Sequence, residues 1–499
     1  MAHFATLGLG LLAYIFLRSI YRLYFHPLRK IPGPKLAAIT YGYEFYYNVI
    51  KRGMYIWEIE RLHKVYGPII RINPREIHIK DPDYYEETFP RGTRKRERDA
   101  SWLAQFGNDG SAFSSVSPEA HRERRAPLEK FFSKRAISNM ENSIYERLDK
   151  ICCQLQRAYR SHKVVNIDAG YAGLTADVIH SYVFGYDPRN LDQEGFNEHV
   201  RDSINGVLTV CHVMYFFPFL RNLLNALPMG VLRWLSPAAS ALAGQKNHMY
   251  RLSLDAVQDP SSAKQNTILS TLAGPKMPQH LRTPDRLMNE GFGLATAGTE
   301  TTARSLSLAT YHLLSREDVR NKLRGELTEA IPTLDVRPTW NQLEKLPYLS
   351  AVINETLRLS TGFSSRSPRI APTETLVYKD YTIPPGTPVS QINNFILMNP
   401  DIFPDPHAFD PERWIRAAAS GERLDRYLVI FSRGSRICQG LNLAYAELFI
   451  VLATLMRRFD MELYETTKKD IEFVRDFATP YPESGNFKVK VLVTGVVSE

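Results

Sequence analysis

"FSRGSRICQG", residues 431–440, decides how the rest of the chain is read. One cysteine, Cys438, stands among glycines and arginines and directly before the apolar run "LNLAYAELFIVLATLM", residues 441–456. Gly434 and Gly440 allow backbone conformations closed to other residues and a close approach to a flat object. A sulfur at a helix start meets the helix dipole and free amides, and Arg433 and Arg436 add positive charge, so the setting favours a thiolate. Such a sulfur is either a nucleophile or a metal ligand. A nucleophile needs a base, and no histidine lies nearby in sequence, although the fold could bring one from elsewhere. The other use is ligation of a haem iron, where a thiolate pushes electron density toward bound oxygen.

The four cysteines, Cys152, Cys153, Cys211 and Cys438, form no C-x-x-C pair and no regular spacing, so neither a disulfide framework nor a zinc cage is indicated. Cys152, Cys153 and Cys211 read as small buried hydrophobes in a reducing compartment. Of 499 residues, 44% are hydrophobic and 23% charged, ample material for one large core, and no Gly/Ser linker, low-complexity tract or repeat divides the chain. The 62 basic and 53 acidic residues leave a net charge of +9, which suits an anionic membrane surface or an acidic protein partner. No nucleic-acid-binding module is present, so nucleic acid is not expected as a partner.

"FATLGLGLLAYIFL", residues 4–17, is uncharged and is followed by Arg18, Arg22, Arg29 and Lys30. Fourteen residues are too few to cross roughly 30 Å as a helix, but snorkelling by Arg18 and Arg22 extends the span to Phe25. Residues 1–25 are therefore expected to be a transmembrane anchor, with the bulk of the protein on the cytoplasmic side of the basic cluster. The rivals are a buried core helix and a signal peptide; for the latter a basic n-region and an A-x-A site are lacking. Pro27, Pro32 and Pro34 in "HPLRKIPGPKLAA" predict a stiff hinge over 26–44, leaving 45–499 as one unit. "PIIRINPREIHIKD", 68–81, reads as a hairpin around Asn73-Pro74, and helical spacing dominates from 117 onward. The fold class expected is mainly α with a minor β part. The stretch 284–315 reads as one helix of about 48 Å. Its middle, "ATAGTETT", is polar where a core helix should be apolar, and a surface turn is the alternative. The apolar stretch 213–232 is either a membrane-dipping region or a packed helix.

Phe431, Gly434, Arg436, Cys438 and Gly440 fill the pattern F-x-x-G-x-R-x-C-x-G, and the segment resembles the signature of the cytochrome P-450 haem-thiolate family. The resemblance implies the cytochrome P-450 fold, a single haem domain with an N-terminal membrane anchor. It also implies haem b (iron protoporphyrin IX) with an axial thiolate from Cys438, and Phe431 beside the cofactor. Glu355 and Arg358 of "NETLR" resemble the family's E-x-x-R, and Arg413 of "FDPERW" completes its buried ion network. E-x-x-R also occurs at Glu58/Arg61, Glu119/Arg122, Glu198/Arg201, Glu317/Arg320 and Glu472/Arg475, which read as solvated helix charges. Glu355 differs from these by its order, between the long helix and Cys438.

"AGTETT", 297–302, looks like the oxygen-activating stretch of the family's central helix. By that match Glu300 and Thr301 are the acid–alcohol pair that relays protons, while Ala297 and Gly298 leave room above the haem. The chemistry needs protons delivered into a water-poor pocket, hence a carboxylate beside a hydroxyl. "HRERR" places His121 and Arg125 on one helix face toward the haem propionates; the family pattern is W-x-x-x-R, so His121 departs from it. Arg369 and Arg436 resemble the remaining propionate partners, and Arg122 and Arg124 read as solvated. By analogy Phe106, Phe113, Leu294, Ala297, Phe363 and Thr479 line a hydrophobic substrate pocket.

"FHPLRKIPGPKLAA" and "HRERRAPLEKFFSKRAI" look closest to fungal membrane-bound members that tailor secondary metabolites, including trichodiene-oxygenase-like enzymes. The resemblance implies a monooxygenase of the endoplasmic reticulum membrane that hydroxylates or epoxidises a terpenoid, polyketide or alkaloid. The stretch after Cys438 is too short for a flavin domain. Electrons are expected from a separate NADPH-cytochrome P-450 reductase, with cytochrome b5 as a further donor the family allows. A haem-thiolate isomerase or dehydratase working without reductase, and a non-catalytic haem sensor, are the alternatives; the Glu300–Thr301 pair speaks against the first.

Overall fold

The expected long helix forms over Pro284–Ser315 in the computed structural model, which describes residues 2–259, 264–485 and 487–497. Pro284 occupies the first helical position, where its missing N–H costs nothing. The polar middle of this central helix is interior: Thr299, Glu300 and Thr302 are buried, so the surface-turn alternative does not hold. Its hydroxyls are satisfied locally, as where Thr299 Oγ1 donates to the Ala295 carbonyl at 2.8 Å. Two glycines set its closest neighbour. A Cβ on Gly291 would lie 2.3 Å from Phe184 Cζ, and one on Gly298 3.0 Å from Ile179 Cγ1. Gly298, expected to leave room over the cofactor, therefore admits the helix Ile167–Phe184 to close range instead. The Thr175 hydroxyl donates to the Thr299 carbonyl at 3.0 Å and the Ser307 hydroxyl to Asp168 at 2.8 Å, locking that register. The main core joins these two helices to Glu141–Ser161, Pro347–Ser360 and Leu441–Arg458.

The β part is small. Strands β1 (Ile69–Arg71), β2 (Ile77–Ile79), β3 (Glu97–Arg98), β4 (Arg369–Ile370) and β5 (Pro388–Ser390) form one sheet in the order β1-β2-β5-β4-β3. The expected hairpin is β1–β2, antiparallel with Ile69 opposite Ile79. Residues 26–44, read as a hinge, pack as short helical turns whose Leu28, Ile31, Ala37, Ala38 and Glu44 are buried. Residues 213–232 do not form one packed helix. They belong to three short helices, Cys211–Phe216, Phe219–Ala226 and Met229–Leu235, with Phe219 at 62% and Trp234 at 83% exposure. Cys152 and Cys211 are buried as expected; Cys153 is exposed, because it falls on the outer face of the amphipathic helix Glu141–Ser161.

Candidate haem-thiolate site

Cys438 is presented by a loop that only glycine can close. Gly434 has φ +72°, and a Cβ there would lie 2.4 Å from the Pro90 carbonyl oxygen and 2.7 Å from that of Phe89. The Cys438 N–H donates to the Phe431 carbonyl at 2.9 Å, which folds the loop back on itself just before the helix Leu441–Arg458. Gly440 has an ordinary φ of −87° and open space where a side chain would stand. The thiol can be reached by solvent, yet burial raises its pKa, opposed by the Gly440 N–H and by Arg125. Both hold if the sulfur lies on the floor of a deep interior space rather than on the outer surface. The Phe431 ring packs 5.3 Å from Tyr445, bracing the loop against the helix it starts.

Beside the loop five basic side chains gather. His121, Arg369 and Arg436 are buried, and Arg125 donates from Nη1 to the Ile437 carbonyl at 2.7 Å. The fifth, Arg98, is one the sequence reading missed; it lay in the charge run 94–99, which resembles any solvated stretch. In the sheet Arg98 stands directly opposite Arg369, a like-charge cross-strand pair that is unfavourable on its own. Burial, then the neighbouring guanidiniums, lower the His121 pKa to about 3. Burial and Arg436 lower Arg369 to about 9; burial and Arg125 lower Arg436 to about 10. Burial, Arg369, Arg436 and Arg125 also depress Arg98. Among the described residues no carboxylate ion-pairs with His121, Arg98, Arg369 or Arg436, and the buried Nε atoms of Arg98 and Arg436 have no partner. Uncompensated buried cations of this number cost many kcal/mol. A flat dianion beside the thiol fits them: the two propionates of a haem would meet the cations, and Cys438 its iron. Arg436 also donates from Nη1 to the Ser115 carbonyl at 2.8 Å and from Nη2 to that of Val116 at 2.8 Å, tying segment 115–117 to the cysteine loop.

Glu355 and Arg358 are both fully enclosed, with Nη2–Oε1 at 2.7 Å and Nε–Oε2 at 2.9 Å. Arg413 Nε reaches Glu355 Oε1 at 3.1 Å, and Trp414 Nε1 donates to Oε2 at 2.9 Å. Arg358 also donates to the carbonyls of Leu397, Pro406 and Ala408 at 2.7–3.1 Å, so the network pins segment 397–414 to the helix Pro347–Ser360. Among the other E-x-x-R pairs two were misread. Glu58 is buried and bonded by Tyr43, and Arg201 is buried in a cluster of its own, because each sits on the inward face of its helix. Arg124, also read as solvated, is half-buried and donates to Ser115 Oγ at 3.0 Å.

On the central helix Leu294, Ala297 and Thr301 share one face, and unlike their buried neighbours they are partly or fully solvent-accessible. Thr301 Oγ1 donates to the Ala297 carbonyl at 2.9 Å. Glu300 turns the other way. It is buried, with Oε2 3.5 Å from Arg201 Nε, and Arg201 Nη1 lies 3.0 Å from Asp168. Burial raises the Glu300 pKa, against the pull of Arg201. Glu300 Oε2 and Arg201 Nε lack hydrogen-bond partners. Thr302 bonds Glu447 of the helix Leu441–Arg458, whose carboxyl burial holds far above its usual range. Arg201 and Glu447 were both missed, since a lone charge on a helix carries no sign of which face is inward.

Phe106, Phe113 and Phe363 come together around Trp102, with centroids of Trp102 and Phe106 at 5.0 Å, Phe106 and Phe113 at 5.3 Å, and Trp102 and Phe363 at 5.8 Å. The loop bearing two of them is held on the central helix, where the Ala112 N–H donates to Glu290 at 3.0 Å, one turn before Leu294. Thr479 is buried with no partner for its hydroxyl, in a hairpin whose Ala478 carbonyl accepts from the Ser364 N–H at 2.9 Å, next to Phe363.

The family model for cytochrome P450 matches residues 33–485. The chain is 45% identical over 490 residues to conidiogenone synthase PchP450 of Penicillium rubens, covering 97% of this chain and 98% of that protein. It is 40% identical over 498 residues to cytochrome P450 monooxygenase TRI4 of Trichoderma arundinaceum, covering 98% and 96%. It is 39% identical over 495 residues to cytochrome P450 monooxygenase aflU of Aspergillus parasiticus, covering 98% of each. Among solved structures a cytochrome P450DA haem domain matches with a TM-score of 0.72 at 18% identity, over 93% of this chain and 97% of that one.

Proposed function

Since the chain belongs to the cytochrome P450 family of haem-thiolate monooxygenases, we propose that it inserts one oxygen atom of O2 into a hydrophobic fungal secondary metabolite, terpenoid or polyketide in kind. The observation that carries the reading is the solvent-reachable thiol of Cys438 beside three buried guanidiniums, Arg98, Arg369 and Arg436, that no carboxylate ion-pairs among the described residues. Bound there, haem supplies the activation of dioxygen. His121, Arg98, Arg125, Arg369 and Arg436 hold its propionates, Cys438 its iron, and Glu355, Arg358 and Arg413 keep the segment behind it in place. Apolar substrate rests against Phe106, Phe113, Leu294, Ala297, Phe363 and Thr479, whose lining excludes water from the reacting carbon.

Thr301 is assigned to holding a water in the pocket, since its hydroxyl proton is engaged by Ala297 while its oxygen is free to accept. Glu300 stands one residue behind with a raised pKa, suited to pass a proton inward once it leaves Arg201. Thr301→Ala is expected to keep haem content and substrate affinity, to change stability by less than about 1 kcal/mol, and to divert electrons from product into hydrogen peroxide. Thr302→Ala should keep coupling near the parent value yet lower stability by about 1 kcal/mol, because it strips Glu447 of its partner. Product and peroxide formed per NADPH in the two variants decide the assignment; unchanged coupling in Thr301→Ala removes Thr301 from the catalytic residues.

The apolar span Thr6–Phe25 is unburied, compatible with a membrane anchor. We assign it to a single pass through the endoplasmic reticulum membrane, with the catalytic unit of residues 45–499 on the cytoplasmic side and the exposed aromatics of 217–235 as a second lipid contact. Deleting residues 2–25 is expected to move haem-loaded protein from the membrane to the soluble fraction at high salt. Quantitative pelleting of that truncation would assign membrane attachment to 217–235 instead. Electrons come from a separate NADPH-dependent reductase, for which exposed Arg122, Lys130, Lys134 and Arg135 offer a basic face; Arg125, on the same helix as Arg122, ties that helix to the cysteine loop.

A further inference from the structure

The last turn of the apolar span ends against a second group of basic side chains without acid partners among the described residues, far in sequence from those beside Cys438. Arg71 of β1 is buried; its Nη1 donates to the Arg22 carbonyl at 2.9 Å and its Nη2 to that of Pro74 at 2.6 Å, while Nε has no partner. Arg22 uses Nη1 on the Ile39 carbonyl. His26 accepts the Leu28 N–H on Nδ1 at 3.1 Å, so the neutral ring carries its proton on Nε2, where no acceptor is found among the described residues. Burial, then Arg71 and Arg22, lower the His26 pKa to about 4. The same neighbours and no carboxylate surround Arg71, whose pKa burial and Arg22 lower to about 10. Nearby Arg75 shows the contrast, since it is paired with Asp99. Arg22 and the neutral His26 thus keep N–H donors in reserve beside the enclosed Nε of Arg71, and among the described residues no acid answers the two neighbouring guanidiniums.

We propose that Arg22, His26 and Arg71 bind the phosphate of one membrane phospholipid where the chain leaves the bilayer. The site is separate from the haem pocket, and the inference rests on the membrane reading above. A phosphodiester supplies the missing charge and accepts from Arg22 and from His26 Nε2, while Arg71, its Nε enclosed, stands behind them as unpaired positive charge. Its source is lipid rather than free phosphate because the candidate span ends at Phe25, which puts the site at headgroup level. Tyr21, Tyr24 and Phe25 are 50%, 64% and 67% exposed around it, the placing of an interfacial aromatic belt. Arg71 clamps the Arg22 carbonyl to the sheet, so a bound headgroup would also fix the tilt of the catalytic unit on the membrane.

The test is native mass spectrometry of the full-chain holoenzyme in non-ionic detergent with added phosphatidylglycerol. One lipid retained per chain is expected, falling about tenfold in Arg22→Gln and in His26→Leu. Arg29→Gln, which removes an exposed charge outside the group, should retain it. An intact Soret band in each variant shows that the fold survives. Equal loss in Arg29→Gln would reduce the effect to general charge and overturn the site, and so would displacement of the lipid by millimolar inorganic phosphate. Pelleting of the parent protein with membranes separates the two readings: if it pellets but retains no lipid this inference alone fails, and if it does not pellet the membrane reading fails with it.

Discussion

Reduced Cys438→Ser under carbon monoxide is expected to show no thiolate-type Soret band and to form no oxygenated product. The other cysteines cannot substitute: Cys152 and Cys211 are buried in apolar surroundings that raise their pKa, and Cys153 lies on the outer face of a helix. A serine hydroxyl is too weak an acid to supply an anionic ligand in its place. Haem content should fall less than activity, because Arg98, Arg369 and Arg436, the guanidiniums assigned above to the propionates, are untouched. Total haem measured beside the carbon monoxide difference spectrum separates the two contributions. A thiolate band surviving in Cys438→Ser would end the assignment of the axial ligand.

Glu355→Ala should have the largest effect on folding. The carboxylate is fully enclosed and accepts from Arg358, Arg413, Trp414 and the Asp410 N–H, so its removal strands two buried guanidiniums at once. Breaking a buried pair from one side costs about 3–5 kcal/mol, against a total stability of about 5–15 kcal/mol. The expected result is little or no haem-loaded protein, or a melting temperature lower by roughly 3–5 °C. Glu355→Gln keeps an acceptor oxygen and should fall between the two. Haem yield and thermal unfolding of both variants check this; a melting temperature within about 2 °C of the parent for Glu355→Ala would mean that Arg358 and Arg413 are held by their carbonyl partners alone.

Local residue order carried much of the fold and site. The bounds of the central helix follow from Thr283-Pro284 and the apolar spacing, the β1–β2 hairpin from β-branched runs around Asn73-Pro74, and the turn of the cysteine loop from the positive φ of Gly434, whose contact with the Phe89 and Pro90 carbonyls no local reading shows. Glu355, Arg358 and Arg413 were legible because a family pattern fixes both their spacing and their order. Residues 26–44 went the other way: three prolines do exclude a long helix, but they do not exclude packing, and short turns bury Leu28 and Ile31 against the sheet.

The sequence by itself determined what depends on neighbours along the chain: helix starts, the turn at Gly434 that presents Cys438, and the hydroxyl–carboxylate adjacency of Glu300 and Thr301; the thiolate setting read around Cys438 did not carry over, since burial raises that thiol's pKa and Arg433 pairs with Glu86 instead. Only the tertiary structure decided which charges face inward and what they meet. Arg98 became part of the cation group because β3 lies beside β4 and sets it opposite Arg369; Arg201 became the partner of Asp168 and Glu300 because its helix packs against the central one; and Gly298 became a contact for Ile179 rather than space above the cofactor. A charge's spacing along the chain says which residues share its face of a helix or strand, but not whether that face meets water or another element. Pairing across hundreds of residues settles that, since burying an ion is tolerable only where a counter-charge has been brought to it.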